Sequence, residues 1–216
     1  MDLALATLLI DARRRLAGKG LFPATGASLS VRLPQAPQLL IVFGLDGTTQ
    51  ARRCSPLAPH EALAGDPAAL HAAIYALRPD VGAIVLGGAA FGQALAALEG
   101  TMPLLFDEQA RHLGPMGAPA APRVSALATA LRAGGNTVLV DGVPVCLGTT
   151  VQRMVFNAEL FEKCAKAWVL AASTGQAVSR LPWWVGRIAT GRLKKDQRRA
   201  AQRFERGLLP EDVRGY

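Results

Sequence analysis

Cysteine is scarce: Cys54, Cys146 and Cys164 are the whole complement of 216 residues, and no two of them stand in a CxxC. That excludes a disulfide-stapled scaffold and a cysteine-based structural zinc site. An odd, low count suits a reducing compartment, and a cytoplasmic protein is the expectation. No fixed period of 20–50 residues and no low-complexity block is present, which excludes solenoids and propellers. The start of the chain lacks signal-peptide grammar, because Asp2 and Asp11 bracket a short apolar run and Arg13, Arg14 and Arg15 follow it. The longest uncharged stretch, Val81 to Leu98, is broken by Gly82, Gly87, Gly88, Gly92 and Gln93. It reads as a buried strand running into a helix, and no membrane span is expected. The Gly87-Gly88 and Gly92 set after that strand does not match GxGxxG, and no serine sits in a hydrolase elbow.

What is present supports one well-filled domain with an appendage. Half of the residues are hydrophobic and 19% are charged, enough apolar matter for a sizeable core. The net charge of +8 is uneven. Residues 1–179 hold fourteen basic and twelve acidic side chains, whereas residues 180–216 hold ten basic and four acidic. The chain therefore divides into a nearly neutral body, residues 1–175, and a basic linker and helical tail, residues 176–216.

Periodicity places helices over 3–16, 68–77, 124–132 and 150–173, and a further helix carrying Phe91, Leu95 and Leu98. Leu5, Leu8, Leu9, Ala12 and Leu16 form the apolar stripe of the first, which ends at Gly18 and Gly20. Strands are predicted over 29–33, 38–43, 81–86, 137–140 and 143–147, with another over 102–106. Turns fall at Asp46-Gly47 and Asp141-Gly142, and residues 50–67 read as loop. After Gly175 comes a linker with Pro182-Trp183-Trp184, then a basic helix to about Leu208. Strands and helices intermix without strict alternation, which predicts a mixed α/β/α layered fold.

Three stretches carry a family resemblance. Leu8-Leu9-Ile10-Asp11 runs through Gly20-Leu21-Phe22-Pro23-Ala24-Thr25 to Leu29-Ser30-Val31-Arg32-Leu33; His71 to Val81 contains Ile74-Tyr75 and Arg78-Pro79-Asp80-Val81; and Asn157 to Glu162 is followed by Ala165-Lys166. In this order they resemble class II aldolase/adducin proteins, nearest the methylthioribulose-phosphate dehydratase and fuculose-phosphate aldolase branch, over roughly residues 3–175. The resemblance implies a three-layer α/β/α sandwich around a mostly antiparallel sheet. It also implies a homo-oligomer, a tetramer in the family, with clefts between subunits.

In that family a His-x-His at a strand end and a later histidine hold a divalent metal, which leaves one position open for substrate oxygens. By the resemblance these positions fall on Leu86, Gly88 and Gly142, none of which can ligate, so no metal and no cofactor are expected. The acid/base glutamate falls on Pro67, next to Asp66. The phosphate loop keeps Thr25 but has Ser28 in place of Asn, and Phe43-Gly44-Leu45 and Gly65-Asp66 replace the other two phosphate pairs. A carboxylate at Asp66 would repel phosphate. Expected ligand-binding positions are therefore Thr25, Ser28, Gly87 and Gly88. Two readings stay open. One is a non-catalytic binding or regulatory subunit, with a small-molecule ligand or a protein partner. The other is a metal-independent lyase, dehydratase or isomerase of a small carbonyl or carboxylate compound. The latter would need Asp66, His71, Glu108 and His112 to converge in one cleft. His60, His71 and His112 could also make a new metal site with Asp107 or Glu108, against a plainer reading in which His71 packs under the pocket, His60 and His112 are surface or loop residues and Asp107-Glu108 is a solvated helix start. Cys146 and Cys164 read as core thiols. The tail, with Trp183, Trp184 and Phe204 among its basic residues, suits docking on a neighbouring subunit or partner. A solvated basic face and an anionic lipid surface are the other possibilities. Nucleic acid is not expected, because no reading motif or aromatic interleaving accompanies the charge.

Overall fold

A computed structural model describes residues 3–23, 25–34, 38–44, 49–53 and 61–211. The Asp46-Gly47 turn, Cys54 and His60 lie outside these residues. Seven helices and six strands follow in the order α1 (Leu3–Gly18), β1 (Ser28–Arg32), β2 (Gln38–Phe43), β3 (Thr49–Arg53), α2 (Pro67–Leu77), β4 (Ala83–Leu86), α3 (Ala90–Ala94), α4 (Asp107–His112), α5 (Val124–Leu131), β5 (Thr137–Val140), β6 (Val143–Gly148), α6 (Val151–Ser173) and α7 (Trp183–Glu205) among the described residues. The strands form one sheet in the order β3-β2-β1-β4-β6-β5, and every neighbouring pair is antiparallel.

The period-two alternation of the strands sorts their side chains onto two faces. Leu29 and Val31 of β1, Leu40 and Val42 of β2 and Val85 of β4 join one core with α1 and α6. Leu39, Ile41, Ile84 and Leu86 point the other way, into a second core under α2 and α5. The sheet is thus covered on both sides, which is why Ala83-Ile84-Val85-Leu86 is an unbroken apolar run. This is the three-layer α/β/α sandwich that the resemblance implies.

The first helix buries Leu5, Ala6, Leu9, Ala12 and Leu16. Leu8, assigned to this stripe from its spacing, stands on the exposed side, at 37% exposure. Two predictions over strands need correcting. Residues 50–53, within the 50–67 stretch that reads as loop, belong to β3, whose backbone pairs with β2 from Gln38 opposite Arg53 to Val42 opposite Thr49. Its sequence, Thr-Gln-Ala-Arg-Arg, has no apolar alternation for a pattern to detect, and the backbone ladder to β2 defines it. Residues 102–106 form no ladder with any described strand. The Gln109 side chain braces them, accepting from Leu105 N at 2.9 Å and donating to Pro103 O at 3.0 Å. Leu181 N adds a bond to Leu104 O at 2.8 Å.

The Asp141-Gly142 turn has positive φ at both residues, 50° and 77°, as a tight two-residue hairpin requires. Beyond β5 a short strap runs along the edge of the sheet: Gly117 N donates to Thr137 O at 3.2 Å, Ala120 N to Leu139 O at 2.9 Å and Asp141 N to Ala120 O at 3.1 Å. The last helix lies on α4 and buries Gly186, Ala189, Leu193, Gln197 and Ala200. Its C-terminal Phe204 reaches the opposite end of the sheet, where Gly82 leaves room for it: a Cβ on Gly82 would lie 2.9 Å from the ring and 2.2 Å from Thr149 O. No described helix is long and apolar enough to cross a membrane.

Candidate functional site

The C-terminal end of β4 opens onto Gly87 and Gly88, beside the N-terminus of β1 and the start of β6. Gly87 N donates to Pro144 O at 3.0 Å and Gly88 N donates to Leu21 O at 3.0 Å. Both amide donors are therefore spent inside the chain. Gly88 has φ of 127°, a conformation that favours glycine. A Cβ there would lie 2.8 Å from Pro144 Cγ. Pro144 thus fills the space into which a side chain at position 88 would project.

A carboxylate that the sequence reading passed over shares this corner. Glu162 of α6 accepts from Phe91 N at 2.8 Å and from Gly92 N at 3.0 Å, holding the first turn of α3 against α6. Gly92 is small for the same reason: a Cβ would meet Phe161 Cε1 at 2.7 Å and Glu162 Oε2 at 2.8 Å. Only the spacing between Gly92 and Glu162 in three dimensions reveals the pairing. No local pattern in the sequence carries it.

The residues at the resembling ligand positions do not fit a zinc ion. Leu86 is a buried hydrocarbon in the second core, Gly88 has no side chain, and Gly142 sits in the β5–β6 turn, near Ala96. Among the described residues no group of three or more histidines, cysteines, aspartates or glutamates is placed to hold a metal.

The four acid/base candidates separate into two pairs on opposite faces of the sheet. Asp66 is the N-cap of α2 and accepts from Ala68 N and Ala69 N at 2.9 and 3.1 Å, an arrangement its short carboxylate favours. One turn on, His71 is fully buried. Ser28 Oγ lies 2.9 Å from its Nε2, Ser30 Oγ 2.6 Å from its Nδ1, and Ser30 Oγ also bonds Tyr75 Oη at 2.8 Å. A neutral imidazole has one N–H and one lone pair, so one serine accepts and the other donates. Burial pushes the His71 pKa down to about 3. Ser28, expected to touch a ligand, is itself fully buried and turned toward His71. Thr25 is exposed, in the turn before β1.

On the other face, Glu108 and His112 share α4. Glu108 is exposed beside Lys163, at 3.3 Å. His112 is not the surface or loop residue of the plainer reading. It is buried, bonds Arg153 Nη1 through Nδ1 at 3.0 Å and meets Phe156 edge to face. Burial, then the guanidiniums of Arg153 and Arg111, lower its pKa to about 4. Burial also pushes the Cys164 thiol up to about 12 and raises Cys146 further, with Glu162 adding to the latter. Both behave as core thiols.

The Arg78-Pro79-Asp80 segment has a structural role. Buried Arg78 donates to both Asp80 oxygens at 2.8 Å, to Gly135 O at 2.8 Å and to Asn136 Oδ1 at 3.1 Å. This ties the end of α2 to the start of β5, and its bidentate geometry offsets the cost of burying the charges.

An antiparallel six-stranded sheet with helices on both faces, and a strand end facing a glycine pair, define the class of fold. Residues 7–169 match the family described as Class II Aldolase and Adducin N-terminal domain, and the chain belongs to it. Solved structures agree on the fold. An L-fuculose 1-phosphate aldolase superposes with a TM-score of 0.73 at 20% identity, over 90% of this chain and 98% of the other. L-fuculose 1-phosphate aldolase from Glaciozyma antarctica gives 0.68 at 19%, over 94% and 88%. That from Thermus thermophilus gives 0.62 at 18%, over 82% and 98%. A comparison with curated proteins finds no match.

Proposed function

We propose that this chain is a non-catalytic member of the class II aldolase/adducin family, a binding or regulatory subunit and not a metal-dependent aldolase. One observation carries the reading: at the mouth of β4 the positions that would supply metal ligands hold Leu86 and Gly88, and Pro144 occupies the space beside Gly88. Zinc chemistry of the family type needs three donors around one open position. Here the strand end supplies hydrocarbon and backbone already paired within the chain. The separation of Asp66 and His71 from Glu108 and His112 supports the same reading. The body spanning residues 1–175 would assemble as a homo-oligomer, a tetramer by family resemblance, and its clefts would take a small-molecule ligand or a protein partner.

The test is elemental analysis of purified, tag-free protein after chelator dialysis, with an assay of cleavage of fuculose- and rhamnulose-type phosphates in added zinc. The expected result is far less than one zinc per chain and no metal-dependent cleavage. One tightly held divalent metal per subunit, or zinc-stimulated cleavage, overturns the proposal. Metal-independent turnover of these substrates overturns it in favour of a changed enzyme. Light scattering at micromolar concentration checks assembly, and a clean monomer mass rules out the oligomer.

A further inference from the structure

Among the described residues nothing packs on the outward face of α7, and its charge is predominantly basic. The inward face is occupied: Leu193 packs near Gly114, and Asp196 is engaged by Arg111 at 2.5 Å. Outward, Arg187, Arg192, Lys194, Lys195, Arg198 and Arg199 are all exposed, and Glu205 in the last turn is the one exposed acidic residue of α7. The same side begins with three uncovered apolar residues: Trp183 is 77% exposed, and Trp184 and Ile188 are each 56% exposed. At 1.5 Å per residue the 23-residue helix presents a ridge about 34 Å long.

We propose that this ridge docks the protein on an anionic phospholipid bilayer, with α7 lying along the surface. Trp183, Trp184 and Ile188 would enter the headgroup boundary, where an indole keeps its ring in apolar surroundings and its N–H in a wet one. The basic side chains would lie along the lipid phosphates, their hydrocarbon stems following the boundary. A second copy of the chain is a poorer occupant. Residues 1–179 carry fourteen basic and twelve acidic side chains, so the body presents no net negative charge to the ridge, and pairing two ridges about a twofold axis would oppose like charges. A nucleic acid is also poorer, because the exposed aromatic residues of α7, Trp183 and Trp184, stand together at its start and none is interleaved along the basic stretch for bases to stack on.

The experiment is co-sedimentation of the full-length protein with vesicles of phosphatidylcholine alone and with about one third phosphatidylglycerol, across a salt series, while following tryptophan emission. Partitioning onto the anionic vesicles is expected to exceed that onto the neutral ones by more than about tenfold and to fall steeply with salt, with a blue shift in emission. The triple variant Arg192→Gln, Lys195→Gln, Arg199→Gln is expected to lose about tenfold or more in partitioning. Trp183→Ala with Trp184→Ala is expected to lose the blue shift. These positions are exposed, so unchanged thermal melts accompany both results, and the salt series on the unaltered protein reads the same property without any substitution. Absence of binding to anionic vesicles at low salt overturns the proposal, as does equal binding to neutral ones. Tighter binding of a 30-nucleotide single strand than of anionic vesicles overturns it in favour of nucleic acid. Loss of self-association in the triple variant with lipid partitioning unchanged overturns it in favour of a second copy.

Discussion

Asp196 of α7 accepts from Arg111 of α4 at 2.5 Å, with the two side chains only 20% and 16% exposed. Beside it, Gln197 donates to Gly134 O at 2.8 Å and to Asn136 Oδ1 at 3.2 Å. The tail is therefore seated on the buried Arg78–Asp80–Asn136 network. Asp196→Ala strands a partly buried guanidinium and should cost about 1–3 kcal/mol. At this chain length that is a drop of several degrees in melting temperature. Removing residues 176–216 also uncovers the patch under Leu193 and Ala200 and should lower the melting temperature further. A truncated protein that melts with the full chain would show that α7 adds nothing to the body.

His71 and His112 give stability a definite pH dependence. Their folded-state values, about 3 and about 4, lie below the ordinary value near 6.5. Between those limits the unfolded chain binds protons that the folded chain does not. Stability is therefore full above about pH 6.5 and declines as pH falls toward the folded-state values. Thermal melts at pH 7.5 and 5.0 should show a lower melting temperature at the acidic pH. His71→Gln should be less stable at pH 7.5 by about 1–3 kcal/mol, through lost bonds to Ser28 and Ser30, yet show a shallower acid slope. An unchanged slope would assign the effect elsewhere.

Two glycines should respond with opposite sign. Gly191 lies exposed within α7, and a Cβ there meets nothing within 4 Å. Gly191→Ala should stabilise the protein by about 0.5–1 kcal/mol, by restricting the unfolded chain and favouring helix. Gly82→Ala would set its Cβ 2.2 Å from Thr149 O, a backbone atom, and should cost about 2–3 kcal/mol. Chemical denaturation of the pair measures both against the parent.

Glu162→Gln keeps the shape of the side chain that bonds Phe91 N and Gly92 N but removes its charge. A charge-assisted bond is stronger than a neutral one, and the loss should be about 0.5–2 kcal/mol. Hydrogen exchange at the Phe91 and Gly92 amides should quicken, while exchange in β2 stays slow. Equal acceleration throughout would mean global destabilisation.

The core was largely legible in the sequence. The 38–43 strand and the 137–140 strand carry unbroken apolar runs, and α6 has a 3.6-residue stripe with Thr150 ready to cap it through Arg153 N. The Asp141-Gly142 turn announces itself by residue type. The strand β3 has no apolar alternation to give it away, and 102–106 resembles a strand because its apolar residues serve other ends: Met102 is buried, Leu104 lies against Gly186 of α7, and Phe106 is 40% exposed. The absence of donors at Leu86 and Gly88 could be read from the family resemblance. The plug by Pro144 and the carboxylate of Glu162 could not, because both depend on elements distant in sequence meeting at one corner.

The strap from Gly117 to Ala120 has a consequence for handling the protein. A bare terminal strand is a template for other chains, and here the β5 margin is already engaged by Gly117 N and Ala120 N. Pro119, within the strap, brings no N–H to offer a newcomer. A partly opened molecule must therefore shed this segment before its β5 side can recruit another strand, which places a kinetic guard against fibrous aggregation in four residues whose sequence is only Gly-Ala-Pro-Ala.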